Sequence, residues 1–131
     1  MISPLAFDHI TLIVSDIEKT RAFYVDKLGM QQVDRPEFDF PGAWFQLGTT
    51  QIHATLEGPE AGQAGIGERG NSVVSRGHHF AFRVADCFSE AEKLQGLDIE
   101  ILHGPKQRPD GAVQVYFRDP DGHTVELVSG P

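Results

Sequence analysis

Two stretches of this chain repeat one another. HITLIVSD, residues 9–16, and HFAFRVAD, residues 79–86, align at a constant offset of 70 residues, histidine on histidine and aspartate on aspartate. Both alternate with the two-residue period of a half-buried strand, and both end in a residue able to cap a helix. A unit this short cannot cover both faces of its own sheet, so two copies must be completed by each other or by another subunit. The pattern predicts an α+β protein of two βαβββ modules, each a curved mixed sheet. Module one spans residues 5–57, a linker 58–76 and module two 77–131, within a single domain covering 1–131.

In the first strand Ile10, Leu12 and Val14 share the apolar face, which leaves His9, Thr11 and Ile13 on the other. Ser15 and Glu18 read as a capping box opening a helix from about 16 to 28, with Ile17, Arg21, Tyr24 and Leu28 as its stripe and Gly29 as its stop. Strands are expected near 30–35, 43–47 and 51–56, the last two joined by a turn at 48–50. In module two Asp86 caps a helix to about Gln95, with Phe88, Ala91 and Leu94 inward and Gly96 ending it. Strands near 98–103, 112–118 and 123–128 follow, the last pair turned by Asp119-Pro120-Asp121-Gly122. Residues 58–77 are rich in glycine and carry no period, as in a linker or mobile loop. Within them GxGxxG at 65–70 has the dinucleotide-binding spacing, but it follows no strand and opens no helix, which argues against a nucleotide site.

Composition narrows the partners. A chain of 131 residues, 40% hydrophobic and 23% charged, supports one core of modest size. A formal net charge of -8 with no cluster of Lys or Arg disfavours nucleic acid and anionic membrane, and leaves a small molecule as the expected ligand. The single cysteine, Cys87, excludes an intrachain disulfide framework and suits a reducing compartment; it reads as structural. No apolar run of leader or membrane-spanning length follows Met1, so a soluble cytoplasmic protein is expected.

The faces turned away from the helices gather His9, Thr11, Gln46, His53, His79, Arg83, Gln114, Tyr116 and Glu126, with Trp44 nearby. A face in water would carry mainly Lys, Glu, Asp and Ser, whereas imidazoles, amides and aromatics suit a cupped, partly enclosed site. Glu126, between Val125 and Leu127, needs a partner if buried. Three imidazoles and one carboxylate, His9, His53, His79 and Glu126, form a coherent ligand set for a divalent first-row metal. His78, His103 and His123 read as packing or surface residues.

The paired modules, together with DHITLIVSD, HFAFRVAD and FRDPDGHTVEL, resemble the vicinal oxygen chelate superfamily of glyoxalase I, methylmalonyl-CoA epimerase, extradiol dioxygenases, fosfomycin-resistance enzymes and bleomycin-binding proteins. The resemblance implies that the first and last strands of the two modules supply the ligands, again His9, His53, His79 and Glu126. It implies a divalent ion (Zn, Ni, Mn or Fe), a homodimer, and a small anionic or oxygen-chelating substrate. The activity it implies first is that of a glyoxalase-I-like isomerase or lyase working through an enediolate, with Glu126 shuttling the proton. Thr11, Trp44, Gln46, Arg83, Lys106 and Tyr116 would contact substrate, Lys106 and Tyr116 by their fosfomycin-enzyme-like placement. His53 departs from glyoxalase I, which has a carboxylate or amide there. A fosfomycin-resistance-like transferase or hydrolase, an extradiol dioxygenase and a metal-free binding protein are the alternatives.

Overall fold

The computed structural model describes residues 1–67 and 73–131. It divides into two compact units, Met1–Gly67 and Glu68–Pro131. Each carries a four-stranded mixed sheet with helical structure on one face, the α+β arrangement of paired βαβββ modules.

In the first unit β1 (His9–Val14), β2 (Gln31–Val33), β3 (Gly42–Leu47) and β4 (Thr50–Leu56) form a sheet in the order β1-β4-β3-β2. β1 runs parallel to β4, and the connection between β1 and β2 carries the helix α1 (Ile17–Arg21). Alternation sorts the faces as expected: Leu12, Val14, Ala43, Phe45, Ile52 and Ala54 are buried on the helix side with Phe23 and Tyr24. The tight β3–β4 hairpin pairs Leu47 with Thr50, leaving Gly48 at a positive φ that glycine adopts without strain.

The helix itself departs from the expected pattern. Its cap is Asp16, not Ser15: the Asp16 carboxylate accepts from the Lys19 amide at 2.9 Å, and Glu18 turns instead to Arg21. After Arg21 the chain widens into a π-helical segment, Ala22–Lys27, with Leu28 N–H donating to the Phe23 carbonyl five residues back. The wider winding breaks the 3.6-residue stripe, so Thr20, Phe23 and Tyr24 are buried while Arg21 pairs with Glu18 and Asp26 at the surface. Gly29, at φ 81°, ends the segment as expected.

In the second unit β5 (Phe80–Arg83), β6 (His103–Gln107), β7 (Val113–Arg118) and β8 (Thr124–Ser129) take the order β5-β8-β7-β6. α2 (Cys87–Gly96) is capped by Asp86, which accepts from the Phe88 amide. Its buried stripe is Cys87, Ala91 and Leu94, spaced i, i+4, i+7. Phe88 is 58% exposed, because Cys87 rather than Phe88 begins that stripe. Cys87 is fully buried, its thiol donating to the Val113 carbonyl, and burial pushes its pKa up; it is packing, not a nucleophile.

Gly96 stays within α2, and the left-handed residue that follows is Asp98, at φ 58°. The Ile99 amide still bonds back to Leu94, so the residues expected to start β6 instead complete the helix end. β6 begins at His103 and tolerates Pro105 because it is an edge strand, where a missing N–H costs no ladder bond. Of the glycine-rich connection, Gly58 and Gly62 form a small bridge. Part of the GxGxxG stretch, residues 68–70, lies outside the described residues.

Candidate functional site

Each module holds one pair of the expected ligands on the sheet face away from its helix. In module one, Thr11 on β1 sits opposite His53 on β4, and His53 opposite Trp44 on β3. This cross-strand register stacks three rings. Trp44 and His53 lie 3.9 Å apart and 2° from parallel; His53 and His9 lie 3.9 Å apart at 17°. Thr11 and His9 are exposed, His53 and Trp44 half-buried.

Hydrogen bonds decide which nitrogen of each ring keeps a lone pair. His9 Nδ1 lies 2.7 Å from the Asp8 carboxylate, which can only accept, so Nε2 is left as the donor atom for a metal. His53 Nε2 lies 2.7 Å from the Gln51 side-chain carbonyl; Gln51 donates to Gln46, and Gln46 donates to the Gly48 carbonyl. This chain of amides, anchored in the β3–β4 turn, places the His53 proton on Nε2 and leaves Nδ1 with the lone pair. Burial, followed by repulsion from His9, lowers the His53 pKa and favours the neutral ring that a metal requires.

In module two, Glu126 on β8 is opposite Tyr116 on β7, and it is only 4% exposed. That burial excludes a solvated strand carboxylate. The Tyr116 hydroxyl donates to Glu126 Oε1 at 2.6 Å, and the Gln114 amide bridges to the Tyr116 hydroxyl at 3.0 Å and to both carboxylate oxygens at 3.4 Å. His79 Nε2 stands 3.3 Å from Oε1. His79 Nδ1, however, is 2.8 Å from the Gly77 carbonyl, an obligate acceptor, so the neutral ring presents a lone pair to the carboxylate. Two acceptors facing each other require a cation between them, either a proton or a metal ion. Among the described residues no Lys or Arg pairs with Glu126. The donor set therefore fits a divalent ion.

Tyr116 is 1% exposed, and burial together with its bond to Glu126 raises its pKa well above the usual phenol value. It remains a proton donor to the carboxylate and is not a base. A raised folded-state pKa gives stability that is complete below the unfolded value of about 10 and lost as pH climbs from there through the folded value. Denaturant titrations across alkaline pH should show this loss in the parent and its absence in Tyr116→Phe; equal alkaline profiles would refute it.

The other expected residues are placed less centrally. Arg83 is exposed and donates to the Gly130 carbonyl at 2.8 Å. Lys106 is exposed on β6, opposite Gln114. His103 packs edge-on against Tyr116 at 5.8 Å, as His79 does at 5.3 Å. His123 is buried against Asp119 and His78 is exposed, the packing and surface roles expected. Asp8, Gln51 and the Gly77 carbonyl were not singled out from sequence. Their only signal is adjacency: each lies one or two positions from the histidine it orients. Within neither module does a third His, Cys, Asp or Glu join the pair, among the described residues.

The family model of the Glyoxalase/Bleomycin resistance protein/Dioxygenase superfamily matches residues 6–127, both histidine repeats and the Glu126 strand included. The chain belongs to this superfamily. It is 27% identical over 124 residues to a "probable lactoylglutathione lyase" of Synechocystis sp., covering 92% of each chain. It is 30% identical over 127 residues to the glutathione transferase FosA of Serratia marcescens, covering 95% of this chain and 81% of that one. A superfamily member from Sphaerobacter thermophilus superposes with a TM-score of 0.75 at 23% identity, over 97% of this chain and 98% of its own, a likeness of fold alone. Among the described residues no helix of this superfamily member is long and apolar enough to cross a membrane.

Proposed function

We propose that this chain is a divalent-metal-dependent lyase or isomerase acting on a small substrate that presents two neighbouring oxygens. The observation that carries the reading is the contact of His79 with the buried Glu126, where two acceptor atoms 3.3 Å apart call for a cation. His9, His53, His79 and Glu126 would hold the ion, one pair from each module, drawn from the same chain or from a second copy. A bound Zn, Ni, Mn or Fe ion would supply Lewis acidity toward the paired oxygens. Three neutral imidazoles and one carboxylate leave that centre at about +1, a bias toward anionic oxygens.

The chain's own residues divide the remaining work. Tyr116 occupies Glu126 Oε1, so Oε2, with only the 3.4 Å amide contact of Gln114, is the oxygen positioned to take a proton from a carbon beside the substrate carbonyl and return it to its neighbour. The indole of Trp44 holds the His53 ring in plane, and Thr11, Gln46 and Lys106 offer polar contacts to substrate. Arg83 joins them only by releasing Gly130. The FosA relative supports a second reading, thiol addition to an epoxide at the same centre.

Metal analysis of protein purified without chelator tests the proposal: about one ion per four-ligand site is expected. Absence of metal in the parent, or equal metal in Glu126→Ala, would sink it. Gln51→Leu, which frees the His53 tautomer, should weaken metal binding by about tenfold in a chelator competition. Assays of hemithioacetal isomerisation, thiol addition to fosfomycin and oxygen uptake with catechols then separate the reactions.

A further inference from the structure

Module one contains a second recognition feature beside the histidine pair. At the far end of β4 the chain forms an open-sided cavity of about 570 Å³, a size typical of small-molecule sites, which run from roughly 300 to 1,000 Å³. Phe40, Leu56 and Ala61 supply apolar wall, Thr55 a hydroxyl, and Glu57 and Glu60 two carboxylates; among the described residues no Lys, Arg or His lines it. Thr55 follows His53 on the same face of β4, so the cavity starts about 7 Å from that ring at the rise of an extended chain.

The wall is a built loop rather than a loose one. Gly58 and Gly62 exchange backbone hydrogen bonds at 3.1 and 2.8 Å, the Glu57 amide bonds to Val14, and the Gly65 amide bonds to Ile13. The Glu57 carboxylate accepts from the Ala64 amide at 3.0 Å, which fixes its position at the rim. Arg35 lies over the Phe38 and Phe40 rings at 4.9 and 5.0 Å and donates to the Phe40 carbonyl. Phe40 is thus already engaged with one cation, and the electrostatic character of the cavity is set by Glu57 and Glu60.

We infer that this cavity receives the non-reacting end of the substrate, and that it selects an apolar group carrying a positive charge, such as an aryl-alkyl ammonium. The inference rests on the proposed function, which puts the reacting oxygens at an ion that His53 helps to hold. Apolar walls remove the hydrocarbon part from water, while two carboxylates, with Arg35 held on Phe40 and outside the lining, attract a cation and repel an anion. A glutathione conjugate, whose tail ends in carboxylates, is the wrong charge for this cavity.

The test titrates three probes of matched size into the full-length chain: 2-phenylethylammonium, 2-phenylethanol and 3-phenylpropionate. Trp44, the only tryptophan, gives the fluorescence signal, and calorimetry confirms it. The ammonium should bind about tenfold more tightly than the alcohol, and the carboxylate more weakly still. Glu57→Gln/Glu60→Gln, which keeps an acceptor for the Ala64 amide, should remove the ammonium's advantage and leave the alcohol unchanged. Should that variant fail to fold, added salt must weaken the ammonium and spare the alcohol in the parent. Equal affinities, a preference for the carboxylate, no binding of any probe at millimolar concentration, or exclusion of all three by self-association would each overturn the inference. Repeating the titration after chelation separates the two claims: the charge preference survives metal removal, whereas a chain that never holds metal defeats the catalytic reading alone.

Discussion

Glu126→Gln is expected to lower turnover by about 10²- to 10⁴-fold and metal affinity by about 10- to 100-fold. The carboxamide keeps the shape of the side chain and can still accept from Tyr116, but it has neither the charge that offsets a cation nor a basic oxygen. Measuring kcat at saturating metal divides the two losses. A variant that regains full kcat once metal is supplied would show Glu126 to be a ligand only, and one that loses neither metal nor rate would remove it from the site.

Asp119→Ala should destabilise the fold by about 3–5 kcal/mol, measured by denaturant unfolding. Asp119 Oδ1 accepts from the Asp121 and His123 amides at 3.0 and 2.8 Å, and Oδ2 lies 2.7 Å from His123 Nδ1. Both side chains are nearly inaccessible to water, at 1% and 3%. Removing the carboxylate therefore leaves two buried donors of His123 and the part-buried Asp121 amide without their acceptor, the condition under which a lost hydrogen bond is most costly. Asp119→Asn, which retains Oδ1, should recover part of the loss. A cost below about 1 kcal/mol for the alanine variant would show that the turn is held by its backbone bonds alone. Because this turn joins β7 to β8, its loss also loosens the Tyr116–Glu126 contact, and metal affinity should fall with stability.

The glycine and aspartate punctuation was legible, and the helix interior was not. Asp86 caps its helix as expected and Gly29 and Gly48 take a positive φ at a helix end and a turn, whereas Asp16 replaces Ser15 as the first cap and Gly96 stays within α2. Local chemistry decides such places, since a short polar side chain or a missing Cβ acts within a few residues. The π-helical segment at Ala22–Lys27 has no such marker, and an inserted hydrogen-bond ring rotates every later side chain away from the 3.6-residue stripe. The shift of β6 has a similar origin. Asp98 in the left-handed region prolongs the end of α2, and only the sheet order shows that a proline strand lies at an edge.

For the candidate site, the repeat and the two-residue alternation singled out His9, His53, His79 and Glu126 as residues of the faces turned away from the helices. Period alone does that, because a strand side chain has only two directions. What tertiary structure decided was the environment: a Glu126 shut away from water beneath Tyr116, a His53 held flat between Trp44 and His9, and a proton placed on one nitrogen of each ring by Asp8, Gln51 and the Gly77 carbonyl. Those properties depend on which strands lie side by side, and pairings between residues 9 and 53 or 79 and 126 are formed only when distant parts of the chain meet.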